Sequence, residues 1–420
     1  MIPVFEASEG FARRLDERDP LARFRSRFSI PERGGEPVLY FNGNSLGLMP
    51  KGARERVVQE LDDWASLAVN AHFEGKTPWF SYHEIFRESG ARLVGAVPGE
   101  VVMMNGLTVN LHLMMATFYR PDGPRRKILI EDGAFPSDTY AAQSQLRVHG
   151  LDPDEALIRV APREGEALLR TEDLIARIER EGDEIAVVVL PGVQYYTGQW
   201  LDMPAITAAA HAQGCVAGWD LAHAAGNVPL SLHDWDVDFA VWCSYKYLNA
   251  GPGAVAGCFV HERHGRDLSR PRLGGWWGND PATRFRMDQE RDFKPRAGAD
   301  GWQLSNPPIL SLAPLRSSLD LFDEAGMESL RRKSVVLTGY LEWLLRERAG
   351  SRFEVISPKD ADARGCQLSL RFVHRADETL RALETAGVVA DYRPPDVVRV
   401  APVPLYNTFH EVWRAVESIR

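Results

Sequence analysis

Residues 237–262, VDFAVWCSYKYLNAGPGAVAGCFVHE, hold a single lysine, Lys246, in a largely apolar, aromatic and glycine-rich run. DFAVWCS and AVAGCFV within it are short runs of β-branched and aromatic residues bounded by Asp or Gly, which is how buried strands read. Working outward, KILIED (127–132), IAVVVLPG (185–192) and CVAGWD (215–220) have the same character, whereas RVVQELDDWASLAV (56–69) and NLHLMMATFY (110–119) read as helices. Such alternation predicts a doubly wound, mostly parallel sheet. After RPRLGGWWGNDPATRF (270–285) come long helices around 311–350, the strands QLSLRF and VVRVAP, and a closing helix with Phe409, Val412, Val416 and Ile419 at helical spacing. The organisation expected is a large domain over 50–305 and a smaller α/β domain over 306–420, with 1–49 packed against the latter.

Composition removes several classes of function. The 420 residues carry 49 Lys+Arg against 58 Asp+Glu, a formal charge of −9 with no block of one sign. Nucleic acid and anionic membrane surfaces are therefore not expected as partners. Cys215, Cys243, Cys258 and Cys366 form no CxxC pair, so neither a disulfide framework nor a bound metal is expected. The first residues lack an apolar h-region and no run approaches the ~20 apolar residues of a membrane span, so a cytoplasmic location is expected.

In an open α/β sheet the ligand crevice lies outside the carboxyl ends of the strands. Asp220 and His223 follow one strand there, and Ser244, Tyr245 and Lys246 follow the next. Gly106, Leu107 and Thr108 stand where a strand gives way to a helix, whose free N–H groups suit a phosphate. Phe135 and Asp138 occupy a fourth loop. Alone, Asp220 reads equally as a turn residue and His223 as a core histidine. Together with Lys246 and the anion cradle they point to pyridoxal phosphate: a desolvated lysine forms a Schiff base with its aldehyde, an aspartate keeps its ring nitrogen protonated, and an aromatic such as Phe135 covers its face.

The chain also resembles a known family. FNGNSLGLMPK, GVQYYTGQ, MPAIT, DLAHAAGNV, LHDWDVDFAVWCSYKYLNAGPG, GWWG, SNPPIL and RVAPVPLYNTFHEV, in this order, are similar to segments of kynureninases, fold-type-I pyridoxal-phosphate enzymes, over nearly the full length. The resemblance implies a mostly parallel, seven-stranded-type sheet plus a smaller α/β C-terminal domain. It implies Lys246 as the Schiff-base lysine and Asp220 as the partner of the pyridine nitrogen, with Leu107, Thr108, Tyr245, Trp276 and Asn306 holding the cofactor or its phosphate and Phe135 stacked on it; Asp138 and His223 are further cofactor-binding candidates by their place in the strand-end loops. Arg399 matches the arginine for the substrate carboxylate, and Ser45, His72 and Asn306 match residues near the substrate. Pro191 departs from the pattern, standing where some relatives are expected to have serine.

The reaction implied is hydrolysis of L-kynurenine, or its 3-hydroxy form, to L-alanine and the anthranilate. Lys246 would be the general base at Cα, and Tyr245 either a proton carrier or a phosphate contact. Polar His72 and Asn306 near the aromatic end lead to the expectation that the 3-hydroxy substrate is preferred. A homodimer with sites completed across the interface is implied as well. Two alternatives remain: a cysteine desulfurase or selenocysteine lyase, which needs a nucleophilic cysteine on a mobile loop while Cys366 falls in the expected strand GCQLSL, and a non-catalytic scaffold of the same fold.

Overall fold

The computed structural model describes residues 3–286, 288–289, 291–372 and 376–418. The expected alternation is present. Seven strands, β1 (Val101–Met103), β2 (Lys127–Glu131), β3 (Leu157–Val160), β4 (Ile185–Pro191), β5 (Val216–Asp220), β6 (Phe239–Trp242) and β7 (Gly257–Val260), form one sheet in the order β1-β7-β6-β5-β4-β2-β3. Six run parallel, and β7 runs against both its neighbours. The reversal has a local cause. Parallel neighbours need a long crossover, usually helical, whereas residues 243–256 are spent on the loop carrying Lys246, so the chain turns straight back.

These strands read as continuous apolar runs because both faces of the sheet are covered. Ile128, Ile130, Val187, Val189, Phe239 and Val241 belong to one core, while the alternate residues Leu129, Val188, Leu190, Ala240 and Trp242 belong to the other. Two glycines make room for aromatic rings inside the sheet. Gly257 lies opposite Trp242, and a Cβ on it would be 2.0 Å from the indole. Gly218 lies opposite Phe239, and a Cβ there would be 2.1 Å from the phenyl ring.

The helices that matter for the site are α1 (Gly52–Leu67), α2 (Leu107–Phe118), α3 (Pro136–Val148), α4 (Ile309–Ala325), α5 (Met327–Ala349) and α6 (Phe409–Glu417). Ile419, expected on the last of these, is outside the described residues. A second, antiparallel sheet follows α5: β8 (Phe353–Val355), β9 (Leu368–Phe372), β10 (Asp391–Arg393) and β11 (Val397–Val400), in the order β8-β9-β11-β10. Its core with α5 and α6 takes in Phe11 and Phe41 from the N-terminal segment. Asp16 adds a polar tie, accepting the N–H groups of Phe409 (2.7 Å) and His410 (3.0 Å) at the start of α6. Helix α4, by contrast, packs along α1 and buries Leu312, Leu315 and Leu319 in the core of the large sheet. Among the described residues no helix is long and apolar enough to cross a membrane.

Gly218→Ala should destabilise the protein by about 1–3 kcal/mol, the usual cost of overpacking, seen as a lower urea midpoint at unchanged slope. An unchanged midpoint would mean that Phe239 can move aside.

Candidate active site

Past β6 the chain is pinned before it reaches Lys246. Ser244 Oγ donates to the Val255 carbonyl (2.5 Å), and the Tyr245 carbonyl accepts from Gly47 N–H (2.8 Å). Lys246 Nζ then lies 3.0 Å from His223 Nε2 and 5.7 Å from the centre of the Phe135 ring. Asp220, the last residue of β5, pairs in register with Pro191 of β4, and its Oδ1 accepts from Ala222 N–H (2.6 Å). Asp138, on the first turn of α3, reaches the Asp220 carboxyl and hydrogen-bonds to it. Leu107, Thr108, Phe135, Tyr245 and these residues line one cavity at the carboxyl ends of the strands.

Electrostatics assign the protons. Burial holds the His223 imidazole well below its ordinary range, and the charges of Lys246, Arg399 and Arg393 add to this. A neutral ring offering Nε2 to the lysine carries its proton on Nδ1, and that atom is buried without a partner. Burial pushes both Asp138 and Asp220 up; Asp138 is pushed further by the charge of Asp220, so the proton shared by the pair sits on Asp138. Tyr245 is pushed up to about 12 by burial and by Cys243 nearby, which keeps its hydroxyl protonated.

Pyridoxal phosphate fits this arrangement. Asp138 Oδ1 and His223 Nδ1 are buried polar atoms without partners, at the end of the cavity where Asp220 offers a carboxylate. At the other end two helix N-termini converge: Thr108 Oγ1 of α2 and Ser137 Oγ of α3 are 2.8 Å apart. Two sets of free N–H groups with two hydroxyls suit a phosphate better than either helix alone.

Arg399 lies one layer further out, on β11, 1% exposed. It donates through Nη1 to the carbonyl of Tyr195, whose ring lines the cavity edge-on to Phe135 with centroids 5.4 Å apart. The other residues expected at the site do not line this cavity. His72 and Trp276 belong to an aromatic cluster through Phe73 and Phe285, Asn306 is exposed, and Ser45 is half-buried. Five lining residues have no counterpart in the sequence reading: Glu131, Ser137, Val193, Tyr195 and Ala222. Glu131 ends β2 as Asp220 ends β5, so an acid closing an apolar run was a usable signal.

Glu131 is pushed up to about 8, chiefly by burial and then by Asp220, against the hydrogen bond that Gln194 Nε2 donates to it (3.3 Å). The folded protein therefore holds this proton more tightly than the unfolded chain, and the stability it contributes, complete below about 4.5, is lost as pH rises towards about 8. In cofactor-stripped protein, Glu131→Gln should gain several degrees of Tm on wild type between those limits, and a constant difference would place the proton elsewhere.

A family profile described as "Kynureninase C-terminal domain" matches residues 330–419. The chain is 55% identical over 415 residues to the kynureninase of Koribacter versatilis (strain Ellin345), and 56% identical over 417 residues to that of Myxococcus xanthus (strain DK1622), in each case covering 99% of this chain and 97% of the relative. Among solved structures, the cysteine desulfurase CsdA of Escherichia coli superposes with TM-score 0.77 at 18% identity, covering 95% of this chain and 97% of that one. The cystine C–S lyase C-DES, in complex with cysteine persulfide, gives TM-score 0.73 at 18% identity, covering 91% and 97%. The structural neighbours share the fold, while the full-length identities decide the family: the chain belongs to the kynureninases.

Proposed function

We propose that the cavity around Lys246 hydrolyses L-kynurenine or its 3-hydroxy form to L-alanine and the corresponding anthranilate. The observation that carries this reading is identity above half, over nearly the whole chain, with kynureninases, and the residues brought together suit the chemistry. Bound pyridoxal phosphate supplies an electron sink for charge developing at the substrate Cα. Lys246 is the group that would hold it and that would take the Cα proton, and neutral His223, 3.0 Å away, accepts a hydrogen bond from the lysine amine. Asp220 would pair with the ring nitrogen of the cofactor, and protonated Asp138 steadies the Asp220 charge. Leu107, Thr108 and Ser137 would hold the phosphate at the paired helix starts, and Phe135 would cover the ring. Tyr245, protonated across the working pH range, donates a hydrogen bond to the phosphate or to the oxyanion formed when water adds to the aryl ketone. Arg399 takes the α-carboxylate.

Trp276, Asn306 and His72 are assigned to the site of a second copy in a cytoplasmic homodimer. What supports this is their position outside the cavity of their own chain, with His72 against Phe73 and Trp276 against Phe285, apolar side chains that are 60% and 57% exposed. On the same footing, residues 50–305 form the large domain and 306–420 the small one with 1–49 packed on it, α4 bridging the two. The desulfurase alternative lacks its nucleophile. All four cysteines are buried, and Cys366 is pushed up to about 12 by burial. It sits just ahead of β9, not within it, its N–H held by Asn227 Oδ1 at 2.9 Å.

Kynurenine should yield fluorescent anthranilate. Lys246→Ala should lower turnover by at least the ~10²–10⁴-fold of a lost general base, and Asp220→Asn should keep the cofactor's absorbance while losing most activity. Release of another aromatic product, or near-normal turnover in Asp220→Asn, would contradict the assignment. Mixing inactive Lys246→Ala with inactive Asn306→Ala subunits should restore about a quarter of wild-type activity, since by random pairing half the dimers carry one intact site of two; no recovery after subunit exchange would place both residues in one chain's site.

A further inference from the structure

We propose that Asp391 is a positioning residue for Arg399, fixing the orientation in which that arginine meets the substrate carboxylate. This rests on the reading of Arg399 as the carboxylate anchor. Asp391 on β10 and Arg399 on β11 are direct partners across an antiparallel ladder, so the backbone sets their approach. One carboxylate oxygen, Asp391 Oδ2, receives Arg399 Nε (2.6 Å) and Arg399 Nη2 (2.5 Å). With Nη1 donating to the Tyr195 carbonyl, three of the five N–H bonds of the guanidinium are committed. One N–H on each terminal nitrogen is left, which is the number a bidentate carboxylate pair needs.

Charge points the same way. Asp391 Oδ2 also accepts from Arg393 Nε at 2.8 Å. The two guanidinium carbons lie 5.9 Å (Arg399) and 6.0 Å (Arg393) from the centre of the Tyr195 ring, which borders the cavity. One carboxylate between two guanidinium groups leaves a surplus positive charge beside the cavity, and an amino-acid substrate brings the carboxylate that cancels it. Without Asp391 the buried fork would lose its carboxylate partner and two of the three contacts that fix its plane. The Tyr195 carbonyl also accepts from Gln367 Nε2 (3.0 Å), and the residues after it are held by Gln194, whose Oε1 accepts from Tyr196 N–H (2.6 Å) and Thr197 N–H (2.8 Å) while its Nε2 donates to Glu131 Oε1 (3.3 Å). The loop that orients Arg399 is thus braced against the floor of the cofactor cavity.

The test uses the holoenzyme with kynurenine and with an analogue whose α-carboxylate is a carboxamide. Asp391→Asn should raise the KM for kynurenine about tenfold, the value of one charge-assisted hydrogen bond, leave kcat within about threefold, and leave KM for the carboxamide unchanged. Combined with Arg399→Lys it should add little, since both changes remove one interaction. If the Asn variant does not bind cofactor or melt cooperatively, Asp391→Glu, whose carboxylate sits one methylene out of place, should show the same division between KM and kcat. An unchanged KM in Arg399→Lys would remove the carboxylate-anchor reading. A raised KM in Arg399→Lys with none in the Asp391 variants, or equal losses on both substrates, would overturn the role of Asp391 alone.

Discussion

The contact between Lys246 Nζ and His223 Nε2 at 3.0 Å sets the terms for everything packed around it. A cation lodged at the end of a buried sheet needs a matched anion, and a second unmatched charge beside it is expensive. Asp220 supplies the match. The same burial then keeps His223 neutral and puts protons on Asp138 and Glu131, so three further titratable groups share the cavity without adding charge. The fold delivers these groups together because β2, β4, β5 and β6 are adjacent in the sheet and end at the same level, presenting Glu131, Pro191, Asp220 and the loop to Lys246.

Much of this fold is legible as apolar runs because the sheet is buried on both faces, and both faces then write hydrophobic residues into the sequence. The direction of β7 is not written there, since AVAGCFV reads alike in either sense and only the use made of residues 243–256 decides it. Short strands such as Asp391–Arg393 escape as well: one tyrosine between two charged residues at a sheet edge is too short a run to show a period. The amphipathic pattern of α4 announces a buried face without saying whose core receives it, and the structure gives it to the large sheet.

The site divides similarly. Residues that end an apolar run or begin a helix, namely Asp220, Lys246, Thr108 and Asp138, are found by position, because strand ends and helix starts are where backbone geometry concentrates polar function. Ser137 shows the limit of that reasoning: its hydroxyl gains meaning from Thr108, 29 residues away, and the meeting of two helix N-termini is a tertiary fact. Arg399 lies inside a strand, where an isolated arginine looks like an edge residue, and the family resemblance alone marks it. Asp391 carries no signal of any kind before the β10–β11 register is known.

Pro191 gains a physical reading from its neighbours. It closes β4 opposite Asp220 and lines the cavity, while the next residue, Gly192, gives its N–H to the Asp220 carbonyl at 2.8 Å. A serine at 191 would bring a hydroxyl, able to solvate a carboxylate, to a wall that already holds Asp220 with Glu131 close by. Proline brings a ring with no donor at all, and its missing N–H is tolerated at the last residue of a strand. The desolvation that holds the Asp138 and Glu131 protons in place is therefore left intact on that side, and the Asp220 charge keeps the reach that a poorly solvated wall gives it.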